Sequence, residues 1–201
     1  MLPKAAFYAD WAVSETRIGK IADKVHKNRM ACEATIEGWR GVPLGGVRRN
    51  DVLRLVEIGR PAGVVVGLSN STSPIATILF KALMALMTRN AIVFSPHPVA
   101  LQCCGDVVRE LEAAARHAGA PAHTVQMLSR PTLEATNALM RDPRCDLIVA
   151  TGGTPMVRAA YASGNPTIGV GAGNVPVIID RGVDMKDAVG KIVTGAAFDN
   201  G

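Results

Sequence analysis

Short, wholly apolar runs alternate along most of this chain with longer stretches whose apolar residues recur at helical spacing. Ala62-Gly63-Val64-Val65-Val66-Gly67-Leu68, Ala91-Ile92-Val93-Phe94 and Leu147-Ile148-Val149-Ala150 are of the first kind. Such runs suit strands of a parallel sheet that is covered on both faces. Another strand is expected near residues 124–128. Ser73-Pro74 offers an N-cap followed by proline at the first helical position, and predicts a helix to about Thr88. His97-Pro98 opens a second helix reaching about Ala118, residues 131–141 form a third, and Thr154-Pro155 starts a fourth. Strand and helix change over about every 25 residues, the signature of βαβ units. The expected fold class is therefore α/β, a doubly wound, mainly parallel, Rossmann-like sheet. Right-handed crossovers would bring each helix N-terminus to the carboxyl edge of the sheet, where ligands bind in such folds.

The two ends read differently. Ile18, Ile21, Ala22 and Val25 recur at helical spacing, so the opening stretch to about Trp39 is expected to be helical until glycines and Pro43 break it. Residues 52–58 alternate loosely and predict a strand exposed on one side, outside the main sheet. Residues 175–180 read as one more strand.

At 201 residues and roughly 150 per domain, the chain suggests one domain plus an appendage. Charged residues are 19% against 48% apolar, which excludes wholesale disorder. The best apolar stretch, residues 75–87, contains Lys81 and falls short of the ~20 residues of a membrane span. Asp10 and Glu15 interrupt any leader-like N-terminus, so a cytoplasmic protein with no membrane partner is expected. The net charge of +5 comes without a basic block longer than Arg48-Arg49. That points away from nucleic acid and suits an anionic small molecule. Cys32, Cys103, Cys104 and Cys145 show no zinc-ligand spacing with His26, His97, His117 or His123. They are expected as core thiols, with Cys103 and Cys104 on different sides of their helix, and no metal site is expected.

Gly169-Val170-Gly171-Ala172-Gly173-Asn174 imitates a dinucleotide fingerprint. Asn174 replaces its last glycine, however, and a strand rather than a helix is expected to follow. Ala150-Thr151-Gly152-Gly153-Thr154-Pro155 is better placed: a strand end, two glycines open to close backbone approach, and a helix start whose free N–H groups suit a pyrophosphate. An ordinary capped turn accounts for these residues equally well. Ser95-Pro96-His97-Pro98 lies on the same edge one strand away, and His97, without an apparent partner carboxylate, is expected to cap or pack.

Taken in order, Phe94-Ser95-Pro96-His97-Pro98, Ala150-Thr151-Gly152-Gly153, the glycine-rich residues 169–174 and Phe198-Asp199-Asn200-Gly201 make the chain resemble the CoA-acylating aldehyde dehydrogenases. The likeness is closest to the aldehyde dehydrogenase part of bifunctional aldehyde–alcohol dehydrogenases. Milder likeness reaches back through Asp23-Lys24-Val25-His26-Lys27-Asn28. The resemblance implies a cofactor-binding domain, incomplete at both ends and lacking its catalytic domain, in a protein that is a homo-oligomer at full length. Residues 47–60 would be part of an oligomerisation flap.

The implied reaction oxidises an aldehyde, held on a cysteine thiolate, with NAD or NADP, and passes the acyl group to coenzyme A. Ser95, Pro96, His97 and Pro98 are implied to face the adenosine part of the cofactor. Gly152, Gly153 and Thr154 would lie by the pyrophosphate and Gly171 by the nicotinamide. Val170 stands where hydrolytic relatives carry a general-base glutamate, so a thiol rather than water is the implied acceptor. Ser73 stands where the family's Thr-Asn-Pro supplies an amide that holds the oxyanion, and an N-cap role is expected to compete for its hydroxyl. Asn70 is the alternative donor. The nucleophilic cysteine is implied to follow Gly201, so this length alone is expected to be inactive. The competing class of function is a non-catalytic nucleotide-binding or assembly module.

Overall fold

Two helices, not one, open the chain in the computed structural model, which describes residues 2–173 and 175–200. α1 (Ala5–Thr16) ends where the backbone of Arg17 turns left-handed (φ 60°), and α2 (Ile21–Gly38) begins after Gly19 (φ 86°). The single opening helix expected from periodicity is broken by this bend. A Cβ at Gly19 would collide with the Asp199 carboxylate, so the bend needs glycine for both its φ and its space.

β1 (Gly46–Asn50) and β2 (Leu55–Gly59) form an antiparallel hairpin. This corrects the one strand expected over residues 52–58, because 51–54 are the turn. Asn50 Oδ1 accepts the Leu53 N–H at 3.0 Å, and Arg54 takes the left-handed conformation (φ 52°). Both faces of the ribbon are exposed, not one.

The apolar runs then pair as a parallel sheet of β3 (Val64–Leu68), β4 (Ala91–Ser95), β5 (Val125–Met127), β6 (Leu147–Thr151) and β7 (Thr167–Val170), in the order β5-β4-β3-β6-β7. α3 (Pro74–Met87), α4 (Leu101–His117), α5 (Leu133–Arg141) and α6 (Thr154–Tyr161) connect them. Side chains leave a strand on alternate faces. Val65, Ile92, Phe94 and Val125 accordingly meet Ile78 of α3, Val107 of α4 and Tyr8 of α1 on one face. Val66, Leu68, Ile148 and Ala150 meet Met140 of α5 and Val157 and Ala160 of α6 on the other. This is the doubly wound α/β fold.

Cys103 and Cys104 are both wholly buried, because α1, α3 and β5 all pack on α4 and cover more than one side of it. All four thiols are buried and unpaired. Residues 175–180, expected as a strand, run as irregular backbone with no ladder partner among the described residues, and a strand exists only where a neighbour completes its hydrogen bonds. α7 (Met185–Ala196) follows, capped by Asp184, whose carboxylate accepts the Asp187 N–H at 2.9 Å. No residue of α7 is buried, and Val175, Ile178, Val189 and Val193 are exposed. Among the described residues no helix is long and apolar enough to cross a membrane, and no His, Cys, Asp and Glu cluster is arranged to hold a metal ion.

Candidate functional site

β3 has β4 on one side and β6 on the other, so the chain leaves the sheet centre in opposite directions and opens a crevice at its carboxyl end. A cleft of about 660 Å³ occupies this position. Three strand exits line it: Ser69, Asn70 and Ser71 after β3, Ser95 to Pro98 at β4, and Thr151 to Gly153 at β6. Leu133, Thr136 and Asn137 of α5 and Pro155 and Met156 of α6 close the sides. Ser95, Pro96, His97, Pro98, Gly152 and Gly153, four of them about 55 residues from the other two, thus share one surface. Thr154 and Gly171 stand outside the lining and beside each other, a Cβ on Gly171 falling 3.9 Å from the Thr154 hydroxyl.

Gly153 is the N-cap of α6, and its carbonyl accepts the N–H groups of Met156 and Val157 at 3.0 and 3.2 Å. The Thr154 N–H at the first helical position has no acceptor within the helix, and Pro155 has no N–H to satisfy. The Ser95 hydroxyl shares a buried hydrogen bond of 2.7 Å with Thr136 Oγ1. His97 does cap: its Nδ1 accepts the Val99 N–H at 3.3 Å over the 3₁₀ turn Pro98–Ala100.

A second cleft, about 590 Å³, lies between α2 and α3 and reaches Thr151, which borders both clefts. Lys27, Met30 and Ala34 line one wall and Ser73, Thr77, Phe80 and Lys81 the other. Ser73 sits at the N-cap position of α3, as the Ser-Pro pair predicts, but its hydroxyl makes no capping bond. Its oxygen accepts instead from Lys27 Nζ at 3.0 Å, an ionised donor that outcompetes a backbone N–H. The expected capping use is therefore corrected. The Asn70 amide holds its own loop, donating to Thr72 Oγ1 at 3.0 Å and accepting from Thr77 Oγ1 at 3.2 Å.

Sequence reasoning missed what stands behind Ser73. Asp199 Oδ2 lies 2.6 Å from Lys27 Nζ and 3.1 Å from Lys24 Nζ, while Oδ1 accepts the Lys20 N–H at 2.9 Å. Lys24 Nζ also donates to the Thr72 carbonyl at 2.5 Å. Asp199 N–H in turn donates to Asp23 at 2.9 Å. Burial alone would push the Asp199 carboxyl up, but the bonds from Lys27, the Lys20 N–H and Lys24 hold it below the ordinary carboxylate value. Lys20, Lys24 and Lys27 at i, i+4 and i+7 share one side of a helix, which was the available signal.

Lys81 is buried at the other end of this cleft, with Nζ donating to the carbonyls of Leu68 at 2.5 Å and Val149 at 2.7 Å. Burial pushes its ammonium down to about 7. A neutral amine has two N–H groups for those two carbonyls, whereas an ammonium carries a third. Between pH 7 and the ordinary lysine value of about 10.4, the unfolded chain holds a proton that the folded one has released. Stability is therefore expected to rise with pH across this window, by about 1.4 kcal/mol per unit. Below pH 7 both states are charged and the desolvation penalty is complete. Urea unfolding between pH 6.5 and 9.5 should show this slope in the wild type and not in Lys81→Met; parallel profiles would contradict it.

An open parallel sheet with a cleft at its switch point defines a class of α/β domains that bind their ligands beyond the strand ends. Within that class, the chain belongs to the aldehyde dehydrogenase family, whose model matches residues 11–201. It is 43% identical over 194 residues to the bifunctional aldehyde-alcohol dehydrogenase of Escherichia coli, a match covering 96% of this chain and 22% of that protein. The acetylating aldehyde dehydrogenase of Geobacillus thermoglucosidasius superposes with a TM-score of 0.93 at 43% identity, over 98% of this chain and 44% of the other. Propionaldehyde dehydrogenase of Rhodopseudomonas palustris, solved with bound CoA and an acylated cysteine, does so at 0.82 and 35% identity, over 96% and 44%. The resemblance read from four motifs is thus correct. The chain spans about a fifth of that curated relative and under half of each solved one.

Proposed function

We propose that this chain is the nucleotide-binding part of an NAD(P)-dependent acylating aldehyde dehydrogenase, which oxidises an aldehyde and transfers the acyl group to coenzyme A. The observation that carries this reading is the meeting of two clefts at Thr151, one lined by residues 95–98 and 152–153, the other bordered by Ser73. The residues present fit a pyrophosphate. A Cβ on Gly153 would meet only Pro155 Cδ at 3.8 Å, so packing does not demand glycine there, whereas close approach of a ligand does.

Bound, the nicotinamide ring would supply the hydride acceptor. In this reading Gly152, Gly153 and Thr154 at the N-terminus of α6 receive the phosphates, residues 95–98 receive the adenosine, and Gly171 borders the nicotinamide. Ser73 presents its hydroxyl to the second cleft, where the aldehyde enters. Val170, exposed on the last strand, has no group to take a proton from water, which leaves a thiol as the acyl acceptor. In this reading none of Cys32, Cys103, Cys104 and Cys145 is the nucleophile, since all four are buried and none lines either cleft. Residues 47–60 form part of an oligomerisation flap, and the four buried, unpaired thiols suit the cytoplasm.

Two measurements test the proposal. The 201-residue chain should bind NAD⁺ in calorimetry without turning it over, and ADP should compete about as well, because contacts reach mainly the adenosine and pyrophosphate ends. The product of the complete reading frame should reduce NAD⁺ with an aldehyde only when coenzyme A is present. Reduction that ignores coenzyme A would contradict the acyl-transfer reading, and binding without any turnover would favour a nucleotide-binding module.

A further inference from the structure

The Ser73 hydroxyl makes no bond to the helix it begins. Lys27 occupies a lone pair of its oxygen at 3.0 Å, so the proton of the hydroxyl is what remains to be offered, and a charged neighbour makes it a stronger donor. Lys27 is itself held. Asp199 lies 2.6 Å from its Nζ, and the Phe198 ring centroid lies 5.4 Å away. Asp199 also engages Lys24, which grips the carbonyl of Thr72, the residue before Ser73. Hydroxyl and supporting backbone are therefore tied to one buried carboxylate. A serine hydroxyl otherwise rotates freely and has no preferred direction for its proton.

We propose that Lys27, pinned by Asp199, is a positioning residue that fixes the Ser73 O–H as a hydrogen-bond donor into the second cleft, toward a carbonyl oxygen that gains negative charge during reaction. The inference rests on the aldehyde-oxidising reading above. A planar amide at position 73 would hold its N–H donors without help, which separates this role from a merely structural one.

The test is a double-mutant cycle in the complete protein, assayed with aldehyde, NAD⁺ and coenzyme A. Lys27→Met should lower kcat about 100-fold, the loss typical of one oxyanion donor, while KM for NAD⁺ stays unchanged. Lys27→Arg should restore most of it. In a Ser73→Asn background the same Lys27→Met change should lower kcat less than about 10-fold. Equal losses in the two backgrounds, or none, would overturn the proposal. Should Lys27→Met fail to fold, Ser73→Ala carries the decision: kcat about 100-fold down supports the role, and an unchanged kcat overturns it. A wild type that reduces no NAD⁺ with aldehyde defeats the underlying reading and the proposal with it. An active wild type with equal losses defeats the proposal alone.

Discussion

Gly153→Val is expected to weaken nucleotide binding at least about 10-fold, a loss of ~1.4 kcal/mol or more, while thermal unfolding stays where it was. Gly153 has φ −65° and ψ 158°, extended backbone that valine adopts without strain. Its Cβ would find open space on the protein side, the nearest atom being Pro155 Cδ at 3.8 Å. The two methyl groups beyond it would occupy the ground between the end of β6 and the start of α6, where phosphate oxygens must come within hydrogen-bond distance of the backbone. Gly67 differs, because a Cβ there would press within 2.8 Å of the Phe94 ring, and that glycine serves packing. Calorimetry with NAD⁺ and ADP, paired with thermal unfolding of both proteins, decides the matter. Equal affinities with equal stabilities would show that the cofactor lies elsewhere.

The second large effect is expected at Asp199. Asn keeps the shape and tolerates the left-handed backbone there (φ 53°), but removes the charge shared by Lys24 and Lys27. Lys24 is 3% exposed, and a buried ammonium deprived of its counter-ion costs about 3 kcal/mol or more. Asp199→Asn should therefore lower unfolding stability by about 3 kcal/mol, and adding Lys24→Met should recover part of it by removing the orphaned charge. Because the folded carboxyl is held below its unfolded value near 3.9, this contribution is complete above that value and disappears as pH falls through the folded one. Urea titrations at pH 7 and below 4 should show wild type and Asn variant converging on the acid side. A gap that persists there would mean the carboxylate charge is not what stabilises the segment.

The sheet was legible because its signals are local. Wholly apolar runs mark β3, β4 and β6, and Ser73-Pro74, His97-Pro98 and Thr154-Pro155 mark where backbone turns from strand exit to helix. Since those turns all stand at one edge of a parallel sheet, Ser95 to Pro98, Gly152 and Gly153 come to line one cleft, while Thr154 and Gly171, also expected around a cofactor, stand outside its lining. The hairpin was not legible: its turn carries neither glycine nor proline, and Arg54 takes the positive φ. β7 was hidden by the glycines around it. Residues 175–179 are truly apolar, but apolarity records that something must cover a segment and not whether a neighbour completes a ladder. The partner of Ser73 was out of reach for another reason. It depends on α2 packing against α3 and on a carboxylate more than 170 residues away in the chain.

That distance has a kinetic meaning. The Asp199 carboxylate reaches back across 172 to 179 residues to Lys27 and Lys20, whereas β3 finds β4 across a single helix. Closing so long a loop in a disordered chain costs about 4–5 kcal/mol of entropy, against which contacts of short span form earlier. The Asp199 contacts are therefore expected to form after the sheet, beyond the rate-limiting barrier. Interactions made that late slow unfolding and leave the folding rate nearly unchanged. Asp199→Asn is therefore expected to speed unfolding far more than it slows folding, and stopped-flow unfolding and refolding rates of the two proteins would check it.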